Sequence, residues 1–241
     1  MRIALFAFLL AAAPAAAQTP ADTLRPGSPS LRTAHYTDRE DAMEFMVDGV
    51  PSGMIVLLTT RLGERDGVPV ITRTERIMEG KTVFSTDSFV VARATLAPVL
   101  LARYGSGRSA TEFRDGEVRT GDGHRPMVTH PLAAPVFLGA AMDMLLGALP
   151  LEAGYAAALP VWEGSSVAVA RVHVSGLEPL ALAAGTRSAW RVEVRQSDHD
   201  GTYWLDQESR TLLRYDPANG EYRLTRRRGG AVSAPATIRT R

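Results

Sequence analysis

The chain has 241 residues, 27 Lys+Arg against 26 Asp+Glu, and no cysteine. The missing cysteines exclude disulfides, thiolate catalysis, cysteine–zinc sites and the lipid-modified cysteine of a bacterial lipoprotein. So even a charge balance gives little electrostatic pull on nucleic acid or on an anionic membrane.

Met1 and Arg2 give a positive start, and residues 3–13 form an apolar run shorter than the ~20 residues a bilayer span takes. Ala15 and Ala17 suit a secretory cleavage, so residues 1–17 read as a signal peptide and Gln18 as the mature start. Export to the periplasm is expected, with no transmembrane segment after cleavage. Residues 18–33 (QTPADTLRPGSPSLRT) hold three prolines and no apolar periodicity, the composition of a disordered tether. Residues 34–228 read as a single β-rich domain, long enough to hold one core without disulfides. Residues 229–241 read as a flexible basic tail, with Arg239 and Arg241 beyond the arginines of a solvated last strand.

Turn chemistry sets the β assignment. Asp-Gly occurs at Asp48-Gly49, Asp66-Gly67, Asp115-Gly116, Asp122-Gly123 and Asp200-Gly201, and Asn-Gly at Asn219-Gly220. Asp and Asn tolerate left-handed backbone and Gly favours it, so these pairs mark hairpins. Residues 53–61 meet 68–77 across Asp66-Gly67, 109–114 meet 117–120 across Asp115-Gly116, and 212–216 meet 221–227 across Asn219-Gly220. Residues 187–196 alternate, with Trp190, Val192 and Val194 on one face and Arg191, Glu193 and Arg195 on the other. Residues 166–174, 178–183 and 202–205 add further strands.

Residues 131–151 (PLAAPVFLGAAMDMLLGALPL) break the pattern. Leu138, Met142, Leu145 and Leu149 fall on one helical face, Gly139, Asp143 and Gly147 on another, and the helix is bounded by Pro135 and Pro150. It is too short to span a bilayer, and Asp143 would lie at mid-membrane. A helix apolar nearly all round is one enclosed by sheet, where Asp143 must find a partner or ionise poorly. The expected fold is therefore mostly β (α+β), a curved antiparallel sheet or half-barrel wrapped around one buried apolar helix.

The runs at 149–154 (LPLEAG), 172–178 (VHVSGLE), 184–192 (AGTRSAWRV) and 203–213 (YWLDQESRTLL), with Thr95-Leu96-Ala97-Pro98, resemble an exported bacterial family, the domain of unknown function 3108 and its lipoprotein-carrier-like relatives. The resemblance spans residues 43–227 and implies a half-barrel. It carries over no catalytic residues. The lipoprotein carriers hold acyl chains in the hollow of their half-barrel, so lipid binding is what the likeness implies here.

The chemistry-bearing residues are sparse. Asp198-His199-Asp200 offers metal donors, yet adjacent residues seldom all point at one ion, and a polar hairpin turn explains them. The chain lacks H-E-x-x-H, G-x-S-x-G and S-x-x-K. No catalytic residue, metal site or cofactor is assigned. The helix remains as the functional signal: Phe137, Leu138, Met142, Met144 and Leu145 would wall a cavity between helix and sheet, with Trp204 lining the same hollow. The same stripe also serves as ordinary core. The expected role is non-catalytic binding of a lipid or other apolar small molecule. The alternatives are a structural module that docks an envelope protein through its edge strands, and a hydrolase.

Overall fold

A computed structural model describes residues 22–105, 107–196 and 199–227. The expected signal peptide and the expected basic tail lie outside these residues. A short strand β1 (Asp22–Thr23) precedes a run of hairpins: β2 (Arg39–Val47), β3 (Val50–Arg65), β4 (Val68–Glu79), β5 (Thr82–Ala92), β6 (Pro98–Tyr104), β7 (Arg108–Arg114), β8 (Glu117–Gly121) and β9 (Val128–Pro131). Two residues of strand, β10 (Phe137–Leu138), lead through a 3-10 turn into the helix α1 (Met142–Ala148). A second run follows: β11 (Ala156–Trp162), β12 (Val167–Leu182), β13 (Gly185–Arg195), β14 (Gly201–Asp206), β15 (Leu212–Pro217) and β16 (Arg223–Arg226).

The expected hairpin turns are present. At Asp48-Gly49 and Asp66-Gly67 both residues take positive φ, 50° and 78° at the first and 52° and 77° at the second. That is the primed turn whose twist matches the strands it joins. The two hairpin runs join where β16 pairs antiparallel with β2, Arg223 opposite Met46 and Arg226 opposite Met43. One 16-stranded sheet results, running from β11 through β16, then β2 to β9. β1 and β10 both lie parallel on β11. The curved inner face encloses α1, and the main core joins helix residues such as Leu145, Leu146 and Ala148 to Ile71, Phe89, Val172 and Leu205 of the strands. The fold is thus the mostly β half-barrel around a buried helix.

Among the described residues the sheet does not close through backbone hydrogen bonds. β9 ends the ladder on one side, and β1 and β10 on the other. Where the two sides meet, Val118, Val136 and Trp162 pack together with Phe113 and Leu132. The His130 ring sits 5.3 Å from that of Trp162.

Two expectations need correction. The helix is shorter than the interval between Pro135 and Pro150. Phe137 and Leu138 instead pair with Val161 and Trp162, because the edge of β11 offers backbone partners that the first turn of a helix would leave unused. Pro150 ends α1 as expected, with Leu149 held extended at ψ 159°. The tether is also not free over 22–33. Leu24 enters the core, its N–H bonds Ala158 O at 3.0 Å, and Arg32 N–H bonds Ala148 O at 2.8 Å. Two apolar side chains, Leu24 and Leu31, and an unpaired strand edge outweigh a proline-rich composition.

Candidate functional site

The C-terminal end of α1 is closed by two side chains and the Arg32 backbone N–H from elsewhere. Arg210, at φ 56°, donates to Gly147 O at 3.1 Å and Leu149 O at 2.8 Å. Tyr36 donates its hydroxyl to Met144 O at 2.6 Å. These donors satisfy carbonyls that a helix end leaves without partners. Gly147 is required, because a Cβ there would sit 2.7 Å from Arg210 O. His35 lies against the same glycine, and burial, aided by Arg210 and Arg39, lowers its imidazole to about 4.

The other end of α1 borders a hollow of about 240 Å³. Alternation decides what enters it. On β4 the inward positions are Ile71, Arg73, Glu75 and Ile77, and on β5 they include Ser85 and Asp87. Met43 and Phe45 of β2, Val56 and Leu58 of β3, Tyr203 of β14, Leu212 and Tyr215 of β15, and Tyr222 and Leu224 at β16 supply the rest of the wall. Ala140, Met142 and Asp143 form its floor, and His199 stands on the loop before β14.

A buried ion pair fixes helix to sheet. Arg73 is 1% exposed, and its guanidinium donates to Asp143 Oδ2 at 2.6 Å and to Thr60 Oγ1 at 3.1 Å. This is the partner that an acid on an apolar helix requires. Glu75 Oε1 is 3.6 Å from Arg73 Nε, but no hydrogen bond joins them. Glu75 stands directly across from Asp87, which Arg103 pairs at 3.3 Å. The Glu75 side chain keeps 28% of its surface, at the hollow. Burial, opposed by Arg73 and reinforced by Asp143 and Asp87, pushes Glu75 up to about 7.

An aromatic wall runs along neighbouring strands. Tyr203 and Tyr215 have ring centroids 4.4 Å apart, Tyr215 and Tyr222 6.4 Å, and Tyr222 and Phe45 5.3 Å. Burial pushes the Tyr203 hydroxyl well above its usual range and Tyr215 up to about 12, so both stay protonated. The hollow can therefore bury apolar surface against one wall and present carboxylates from another.

The structure divides the six residues expected to bind a ligand. Met142 lines the hollow. Phe137, Leu138, Met144 and Leu145 pack against Val91 and Leu96 instead, leaving a void of only about 10 Å³. Trp204 is on the outer face of the sheet, clustered with Leu180, Ala189 and Leu213, its indole N–H donated to Glu178 and its ring under Arg214. Parity explains the last: Tyr203 and Leu205 point inward, so Trp204 between them points out. Arg73, Glu75, Asp87 and the tyrosines were not among the residues expected to bind a ligand. A signal existed in β4, where Arg73 and Glu75 are in phase with Ile71 and Ile77 and so belong to the buried face. His199 lies 3.6 Å from Glu163, and among the described residues no three His, Asp or Glu side chains are grouped as metal ligands. A groove of about 450 Å³ at the opposite end, among Pro26, Thr95 and Pro135, brings no comparable set of polar groups together.

Among the described residues no helix is long and apolar enough to cross a membrane. No curated protein matches the chain. Among solved structures the chain is similar to a beta-barrel-like protein of domain of unknown function DUF1849 from Brucella abortus, at 11% identity and TM-score 0.48, covering 78% of this chain and 95% of that one. The family described as protein of unknown function (DUF3108) matches residues 34–227, almost all of the described structure, and the chain belongs to that family.

Proposed function

We propose that this is a non-catalytic protein of the cell envelope that holds a small, largely apolar ligand in the hollow between the curved sheet and α1. The observation that carries this reading is the hollow itself: about 240 Å³ bounded by Met43, Phe45, Leu58, Met142, Tyr215 and Leu224, with a few polar groups converging on it. Small-molecule sites have this composition, a mostly apolar lining with few placed polar groups. Export supports the envelope assignment through the positive start, the short apolar run and Ala15 and Ala17. The test is native mass spectrometry of the protein purified from a bacterial periplasm, followed by organic extraction. A stoichiometric adduct in the mass range of a small lipid or other apolar metabolite is the expected result. A clean mass for the bare chain, with no uptake of apolar probes afterwards, overturns it.

A second reading rests on Glu75 alone. A carboxyl near 7 suits proton transfer, and ester hydrolysis by the wild type but not by Glu75→Gln would favour it over simple binding.

A further inference from the structure

The proposed ligand has a polar end, and the hollow's charges decide its sign. Two guanidinium groups reach the site, and each is already matched: Arg73 to Asp143 at 2.6 Å, Arg103 to Asp87 at 3.3 Å. Three carboxylates line it, Glu75, Asp87 and Asp143. Glu75 is the one without a hydrogen-bonded cation. It accepts no hydrogen bond among the described residues, and its only ion pair is the 3.6 Å approach to Arg73 Nε, whose guanidinium is already hydrogen-bonded to Asp143 and Thr60. Asp41 on β2 is matched by Arg39 at 3.0 Å and Arg226 at 3.1 Å and so tips the balance at Glu75 to neither sign, and Leu58, opposite Glu75 on β3, adds no charge. The aromatic wall of Tyr203, Tyr215, Tyr222 and Phe45 supplies ring faces to the same hollow. Such faces attract cations and repel anions.

We infer that the ligand carries a primary ammonium group at its polar end, which donates to Glu75 while its apolar body lies against the aromatic wall. This rests on the hollow being a ligand site. A carboxylate end would face three acids without a free cation, and a hydroxyl would leave the net charge uncompensated. An ammonium both supplies the missing donors and balances the carboxylate. Glu75 near 7 is half charged at neutral pH, and a bound cation draws it toward the ionised form.

The experiment uses three probes of equal chain length, decylamine, decanol and decanoate, with the full-length mature protein in native mass spectrometry and calorimetry. At about pH 8 decylamine is expected to bind about tenfold tighter than decanol, and decanoate weakest. Lowering to about pH 5.5 protonates Glu75 and should cost the amine about tenfold while leaving decanol unchanged. Glu75→Gln, checked for folding by near-ultraviolet circular dichroism, should lose the preference for decylamine over decanol. The wild-type pH series gives the same information if that variant fails to fold. Vesicles containing phosphatidylethanolamine distinguish the source: lipid extracted into the protein marks a lipid-borne amine, and decylamine binding without extraction marks a free one. Binding of decanol or decanoate at least as tight as the amine overturns the charge assignment and leaves the hollow as a ligand site. Failure of all three probes to bind overturns both.

Discussion

Replacing Asp143 with alanine tests what holds α1 inside the sheet. The change strips Arg73, 1% exposed, of its hydrogen-bonded anion, and breaking a buried pair from one side costs about 3–5 kcal/mol. Part of that is recovered locally. Glu75 Oε1 is 3.6 Å from Arg73 Nε, and without Asp143 it is no longer repelled from ionising, so it takes up the arginine with a charge-assisted hydrogen bond worth about 1.5–3 kcal/mol. The net expectation is a loss of about 2 kcal/mol, or a fall in Tm of roughly 4–8 °C for a chain this size. Urea unfolding followed by tryptophan fluorescence reads it out, since Trp162 on β11 and Trp190 and Trp204 on the paired strands β13 and β14 report on the sheet. The double change Arg73→Met with Asp143→Leu removes both charges and restores apolar packing, so it should return to within about 1 kcal/mol of wild type. A loss below about 1 kcal/mol for Asp143→Ala, or a double variant as unstable as the sum of its parts, refutes the pair as the clamp between helix and sheet.

Glu75→Gln should stabilise the fold at pH 8 and do little near pH 4. A raised carboxyl makes the folded chain bind more protons than the unfolded one between its usual value and about 7, so its cost appears as pH rises through that window; paired thermal melts across pH check the sign. Leu145→Phe overfills a site whose neighbouring void is about 10 Å³ and should cost about 1–3 kcal/mol in urea, with ligand affinity of the hollow unchanged. Arg210→Ala leaves the carbonyls of Gly147 and Leu149 without their donor and should cost about 1–2 kcal/mol, with faster amide exchange in the last turn of α1 as its local signature.

Local chemistry was readable wherever it needed no partner. Asp66-Gly67 predicted its own turn, and the alternation about Trp190 predicted which face of β13 is buried. The strands β2, β5, β6 and β11 were not singled out, because their burial depends on neighbours. β11 is alanine-rich, and acquires its role from β1, β10 and β12 pairing around it. The helix was legible as an apolar segment, but its start was not. Residues 137–138 are as apolar as the helix, and only the nearby edge of β11 makes them strand. The site divides in the same way. Asp143's need for a partner follows from its own surroundings in the sequence, but the identity of Arg73, 70 residues away, is set by register between distant strands. Glu75 standing across from Asp87 is likewise a property of the β4–β5 pairing and of neither strand alone.

The slit between β9 and the β1 and β10 edge makes the barrel's strength uneven around its circumference. Elsewhere a strand leaves its neighbour only by giving up a ladder of backbone bonds, but across the slit only side chains such as Trp162, His130 and Val118 must part. Breathing of the wall therefore begins there, and the widening is felt least at β3 and β4, which sit deep in the ladder and carry the acid-lined side of the hollow. The molecule behaves as a split ring with its joint far along the sheet from the groups that would grip a ligand. Amides of β8 and β9 should exchange with solvent first, and those of the β3–β4 hairpin last.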